Sequence, residues 1–366
     1  MNYRVTCLTP TLVGDGQRLS PIDYMVWKDN VNVLDQRRIF KLLAKGPRLE
    51  SYLGQLKRSE KLDFASWGGF AQNFAGRRIP FEHPSMTAQW ERTRAEFLFI
   101  PTFASSSTGP FLPGSAIKGA LRTAVIAGRW SHNTIEQVQS RLQTERVWRK
   151  VTAQAEAEAL GAGGADRMRF FGVADSAAVP QSALKVFLVQ VSKLVPKGNG
   201  FDVGWTPTPV FAEMAVEGTT FEGRWSESEF LQQPEIARAL HWRQPGRAPF
   251  FEGANRFSTA VLDLHDHYAE AARLPALQRQ VADLKSAIER ARQSGGCVLP
   301  LGWGGGFHTK AGYLDTSDEA YRTLLRQLPF YGRAIRSGLP FPKTRRIVFL
   351  RDEPATLPGW VLLEAG

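Results

Sequence analysis

Cysteine is nearly absent: Cys7 and Cys297 are the two in 366 residues, far apart and without CxxC spacing. That excludes a disulfide framework and a thiolate zinc site, and it suits a reducing compartment, so the expected location is the cytoplasm. Long apolar runs are also missing. No stretch approaches the ~18 apolar residues of a membrane span, and residues 1–14 hold no charged segment leading into an apolar core. Neither insertion nor export is expected. Short internal repeats and low-complexity blocks are lacking as well, and with 43% hydrophobic and 22% charged residues the composition is that of an ordinary globular chain.

Acidic residues are the minority, 35 against 46 Lys and Arg, which leaves a formal charge of +11. The pI near 9.8 favours a polyanionic partner. The excess is clustered. Ile117 to Lys150 holds seven basic residues (Lys118, Arg122, Arg129, Arg141, Arg146, Arg149, Lys150) against Glu136 and Glu145. Arg322 to Arg351 holds eight (Arg322, Arg326, Arg333, Arg336, Lys343, Arg345, Arg346, Arg351), no acidic residue, and the aromatics Phe330, Tyr331, Phe341 and Phe349 for stacking.

Two glycine-containing segments have the composition of a backbone surface that phosphates can approach. One is Gly302-Trp303-Gly304-Gly305-Gly306-Phe307-His308-Thr309-Lys310; the other is Pro113-Gly114-Ser115-Ala116-Ile117-Lys118 and on to Arg122. Glycine removes the side chain that would hold a phosphate away, N–H groups donate, and Lys or Arg supplies countercharge. Neither is a nucleotide-triphosphate loop, because Lys310 and Lys118 each stand four residues past the last glycine rather than next to it. The G-x-G-x-G of Gly302, Gly304 and Gly306 also departs from the dinucleotide G-x-G-x-x-G. The RNA-contact candidates are therefore Gly114, Ser115, Lys118, Arg122, Gly302, Gly304, Gly305, Gly306, His308 and Lys310. Lys118 and Arg122, four apart, share a helix face near its positive end.

No metal or cofactor is expected. Asp263, His265, Asp266 and His267 are the densest set of potential ligands, but an i, i+2 pair of imidazoles on a helix points to different faces. Asp15, Asp23 and Asp175 sit beside turns and strand ends, where capping explains them. His308 is a candidate general base toward an RNA 2′-hydroxyl, without a visible catalytic partner.

Patterning predicts strands at Arg4 to Val13, Tyr24 to Trp27, Val31 to Leu34, Arg94 to Ile100, Met168 to Val173, Leu184 to Val191, Arg346 to Leu350 and Trp360 to Leu363. Phe211 to Val216 and Thr219 to Trp225 read as two strands paired through Glu217-Gly218. Helices are predicted within Gln36 to Leu62, from Ser115, as cap, to about Gly128, over Ser131 to Leu160, over Phe257 to Gln293 with a break at Pro275, and at Glu319 to Gln327. Asp63 to Ser85 reads as irregular. The expected class is α+β, antiparallel sheets with helices on one face, and the expected division is residues 1–180 and 181–366.

Together these segments resemble the RAMP superfamily of CRISPR-associated proteins. The resemblance rests on Leu8 to Gly16 with Ser20-Pro21-Ile22-Asp23-Tyr24, on the Pro113-Gly114-Ser115 helix start, on Ala174-Asp175-Ser176, and on Leu301 to Lys310. Glu213 with Gly218 to Glu222 resembles a strand pair of that family. The opening pattern is most similar to the fifth-subunit family of the type III-A (Csm) effector complex. That resemblance implies two ferredoxin-like (RRM-like) units and a non-catalytic, crRNA-binding subunit that caps the backbone filament at the crRNA 3′ end. Its partners would be the Csm backbone and small subunits, with crRNA 3′-end maturation by nucleases recruited from the host. Asp23, followed by Tyr24, would be structural. Two rival readings are a metal-independent RAMP endoribonuclease that processes crRNA precursor with His308 as base, and a Cmr-type architectural subunit.

Overall fold

Tyr3, Val5 and Cys7 are buried while Asn2 and Arg4 are exposed, the period-two pattern of a strand with one face on a core. This strand, Asn2–Cys7, is the centre of a five-stranded antiparallel sheet in the order Cys297–Pro300, Trp360–Ala365, Asn2–Cys7, Thr220–Glu227, Phe171–Val173. A second antiparallel sheet is built on the long strand Leu184–Lys197, which pairs with Gly200–Trp205, Val210–Ala215 and Thr344–Leu350; Glu353–Thr356 completes it. Thr11 and Ala215 exchange backbone hydrogen bonds of 3.0 and 2.8 Å and so join the opening segment to the second sheet. Tyr24–Trp27, Asn30–Leu34 and Ala75–Pro80 make a third, three-stranded sheet. The computed structural model describes residues 1–44, 46, 48–58, 61–62, 73–242, 246–336 and 340–366, with Pro329 and Arg336 described in backbone only.

The helices Ala248–Ala271 and Pro275–Ser294 pack on each other and on the edge strand Cys297–Pro300. A buried edge strand needs partners for its outward N–H and C=O groups. Asn255 supplies two: its amide oxygen accepts from Val298 N–H at 2.9 Å and its amide nitrogen donates to Gly296 at 3.1 Å. Ser258 Oγ donates to the Val298 carbonyl at 2.6 Å. Glu213, fully buried on the second sheet, holds the third sheet through two hydrogen bonds from Arg77, at 2.7 and 3.2 Å, and accepts from Phe103 N–H at 3.2 Å.

The α+β class and its antiparallel sheets agree with the sequence reading; several local expectations do not. The runs Phe211 to Val216 and Thr219 to Trp225 do not pair with each other: Val210–Ala215 joins Leu184–Lys197, while Thr220–Glu227 joins Asn2–Cys7. The turn at Glu217-Gly218 carries the chain between sheets, with Gly218 N–H on Cys7 O and Thr219 N–H on Val216 O. Arg94 to Ile100 is a 3-10 turn at Ala95–Phe97 followed by a two-residue strand, Ile100–Pro101. The stretch read as irregular contains the strand Ala75–Pro80, in which half-buried Arg77 turns inward to Glu213 while Arg78 is exposed, so the buried face does not read as apolar; Gly68-Gly69 lie outside the described residues. Ser131 to Leu160 is two helices, His132–Glu145 and Trp148–Leu160, parted by Arg146 at φ 55°. The helix Pro329–Arg336 and the strand Glu353–Thr356 were not read from the sequence. The first sheet takes Asn2–Cys7 and Phe171–Val173 from residues 1–180 and its other strands from 181–366, so sheet membership does not follow that division.

Candidate nucleic-acid interface

The four motifs converge in two pairs. The glycine-rich loop folds onto the opening segment: Trp303 N–H donates to Leu12 O at 2.8 Å, Gly359 N–H to Pro10 O at 3.0 Å, and Leu301 N–H to Gly359 O at 2.6 Å. Gly302 has φ +79°, and a Cβ there would stand 2.2 Å from Leu12 O, so only glycine lets the two segments meet. The helix start folds onto Ala174-Asp175-Ser176. Gly114 N–H donates to Asp175 Oδ1 at 2.9 Å, and Leu112 N–H donates to Ser176 Oγ at 2.8 Å. A Cβ on Gly114 would lie 2.3 Å from Val173 O.

These contacts redirect the sequence reading of the glycines. Gly114 and Gly302 use their missing side chain to admit protein backbone, not phosphate. Gly304 and Gly305 sit against Pro358 and Thr309, whereas Gly306, at φ +82°, faces open space. Among the described residues, the N–H groups of Gly304, Gly305 and Gly306 have no hydrogen-bond acceptor within the chain. Ser115 is exposed but does not cap the helix Gly114–Ala127; Pro113 is the capping residue, and the Asp175 carboxylate occupies the positive helix end.

Lys118 and Arg122 are engaged inside the molecule. Lys118 Nζ donates to Phe171 O at 2.9 Å, and Arg122 pairs with Glu156 at 2.6 Å. The first basic segment is partly neutralised in the same way, since Arg141 pairs with Glu158 and Lys150 with Glu145. The second helix of the pair supplies two of these carboxylates, which a count over Ile117 to Lys150 stops short of.

Lys310 is exposed and, among the described residues, forms no ion pair. It lies on a cleft of about 980 Å³ whose lining includes Trp303, Gly304, Gly306, Lys343, Arg346 and Phe330. The Arg346 guanidinium stacks 5.2 Å from the centre of the Trp303 ring. Phe330 is 91% exposed. Tyr331 and Phe341 instead clasp Phe307 in a three-ring cluster with centroids 5.0 to 5.6 Å apart, which fixes the glycine loop to the last basic segment. Phe349 belongs to the core against Trp205. Arg322 and Arg326 face Glu319, and the Arg336 side chain lies outside the described residues.

His308 is the clearest correction. It is 3% exposed, beneath the loop, with burial first and the neighbouring Arg345 second driving its pKa down to about 3. An imidazole so placed is neutral and closed off from a 2′-hydroxyl. Its ring stands at right angles to His265, 6.4 Å away, and His265 Nδ1 accepts from Arg345 Nε at 2.9 Å. Arg345 is itself buried and is held by His265, by the carbonyls of Pro342 and Thr344 at 2.8 and 2.9 Å, and by the Tyr268 ring at 4.5 Å. The other members of the Asp-His cluster diverge: Asp263 and Asp266 both pair with Lys285 at 2.9 Å, and His267 is exposed. Asp15 and Asp23 cap turns, accepting from Gln17 N–H at 3.0 Å and from Ser20 N–H at 2.7 Å.

The RAMP superfamily profile matches residues 4–254, more than half of the chain. The chain belongs to the RAMP superfamily. The match ends before the glycine-rich loop, but similarity to solved structures spans the whole of this RAMP protein. A chain of the Csm–crRNA–target RNA ternary complex of a type III-A CRISPR-Cas system superposes with a TM-score of 0.68 at 21% identity, covering 100% of both chains. Csm5 of T. onnurineus superposes with a TM-score of 0.63 at 19% identity, covering 98% of this chain and 99% of that one. The Csm5 protein of Methanocaldococcus jannaschii is 23% identical over 150 residues, 37% of this chain; the aligned stretch is 32%, about a third, of the relative's length. Among the described residues no helix is long and apolar enough to cross a membrane.

Proposed function

We propose that this RAMP protein is a non-catalytic, RNA-binding subunit of a type III-A Csm ribonucleoprotein. In this reading it caps the backbone filament at the crRNA 3′ end, beside the backbone and small subunits, and supports 3′-end maturation by nucleases recruited from the host. Two associated ferredoxin-like units would fit that role.

The observation that carries the proposal is the cleft beside the glycine loop. Lys310, Lys343 and Arg346 supply cations without carboxylate partners among the described residues, and the N–H groups of Gly304 and Gly306 supply donors. Phe330 and the Arg346–Trp303 stack supply planar surfaces. Such groups hold phosphates and stack on any base without reading sequence, which suits a subunit that presents a guide. Ser115, Lys118 and Arg122 form a second, weaker set, because Lys118 and Arg122 reach phosphate only by leaving Phe171 O and Glu156. The burial of His308 removes the base that a precursor-cutting reading requires.

The test is affinity purification of the tagged protein from its native host, with sequencing of bound RNA and identification of co-purifying proteins. Short RNAs sharing a 5′ repeat tag, with a large polymerase-like subunit and a repeated backbone subunit, are the expected result. Unprocessed repeat precursor bound to this protein alone would overturn it.

A further inference from the structure

A second basic surface shares no lining residue with the cleft. It lies where the end of the helix Gly114–Ala127 meets the start of the helix Ala248–Ala271. Small residues keep the two helices from filling the space between them: Ala124, Gly128 and Gly253, with Phe250 and Pro249, bound an apolar hollow of about 160 Å³. Arg129 and Arg167 line this hollow and also a wider one of about 720 Å³, where Arg238, His241 and Trp242 complete the wall.

Three guanidinium groups thus share one groove, each from a different element: Arg129 after the first helix, Arg167 from the 3-10 turn Arg167–Arg169, and Arg238 from the helix Pro234–Ala239. Among the described residues none of them pairs with a carboxylate. Arg167, half-buried, donates among the described residues only to His241 O at 3.4 Å, and lies 5.8 Å from the centre of the Trp242 ring. Burial and then the charge of Arg129 lower its pKa, a sign that the two cations sit close. At the far end Arg256 is shared with Glu252 at 3.9 Å. Like charges gathered without countercharge raise the energy of the free protein, and an anionic partner relieves that.

The groove differs from the cleft in what it offers that partner. Its large aromatic rings are covered: Trp242 and Phe250 are 6% and 9% exposed, and the Phe250 ring is packed by Phe170 and Phe171, 6.1 and 4.9 Å away, which leaves the small His241 imidazole as the exposed ring of the wall among the described residues. Single-stranded RNA takes much of its binding energy from stacking, and beside the cleft with its exposed Phe330 the groove offers little of that surface. Guanidinium forks match carboxylates two bonds at a time, and a hollow of that size accepts one aliphatic side chain. We propose that this groove docks an acidic segment of a partner protein, with carboxylates on Arg129, Arg167 and Arg238 and an aliphatic side chain in the hollow beside Gly128 and Gly253. The site is separate from guide binding and gives the protein a second, protein-directed contact.

Fluorescence anisotropy on the full chain tests it, with a labelled peptide of Asp and Glu around a central pair of leucines as probe. Arg129 and Arg238 are exposed, and nothing lies within 4 Å of where a Cβ on Gly253 would stand, so R129E/R238E and Gly253→Leu are expected to fold. Each variant should weaken the peptide about tenfold or more, as loss of a paired charge or of an apolar anchor does, and so should replacing the leucines by serine. RNA affinity in the cleft should stay as in wild type for Gly253→Leu. Peptide binding unchanged in both variants would overturn the proposal. So would single-stranded RNA whose affinity falls equally in both, because the groove would then be an RNA surface.

Discussion

Replacing Lys310, Lys343 and Arg346 with alanine removes three cations that line the cleft and have no carboxylate partner among the described residues. Each phosphate neutralised on a single strand contributes about 0.7 to the slope of log affinity against log salt, so three lost contacts flatten the slope by about 2. From ~50 to ~200 mM salt, that variant should lose a little over one decade less affinity than wild type. Arg345 is left out of the count because it is 7% exposed and bound to His265. The assay is anisotropy of unrelated single-stranded RNAs over a salt series. Two comparisons sharpen it. Lys118→Ala with Arg122→Ala should flatten the slope by less than the ~1.4 of two free contacts, because both side chains already hold internal partners. Phe330→Ala should cost about 1–3 kcal/mol at every salt concentration and leave the slope unchanged, as loss of a stacking surface does. A folded triple variant with the wild-type slope would refute the reasoning, and so would a Lys118/Arg122 variant that flattens it as much as the triple.

Glu213→Ala should destabilise the protein by about 3–5 kcal/mol in a denaturant melt, since it strands Arg77 and the Phe103 N–H together. Glu213→Gln should fall between that variant and wild type. His308 should make the protein acid-labile. Its folded pKa lies well below the unfolded value near 6.5, so its contribution is complete above about pH 6.5 and is lost as pH falls toward 3 and the unfolded imidazole takes up a proton. His308→Gln should make the acid limb of a stability-against-pH curve shallower; an unchanged limb would show that the buried ring does not govern it.

Much of this molecule was legible in one dimension. The alternation of Tyr3, Val5 and Cys7, the paired runs Tyr24–Trp27 and Asn30–Leu34, and the break between long helices at Pro275 follow from local periodicity and backbone chemistry. The net charge of +11 pointed to a polyanionic partner, and the opening pattern, the two remote glycine segments and Ala174-Asp175-Ser176 carried the family resemblance, because composition and short motifs survive without knowledge of contacts. Pairing is what the sequence could not supply. Val210–Ala215 and Thr220–Glu227 look like a hairpin from inside, yet neighbours far away in sequence claim each of them for a different sheet. Charge was misread for the same reason: Lys118 and Arg122 look free until Phe171 O and Glu156 arrive from other elements. His308 looks exposed among glycines until Arg345 and His265 close beneath it. Local sequence determined which residues could bind an anion, and the long-range packing of the sheets and helices decided which of them are left to do so.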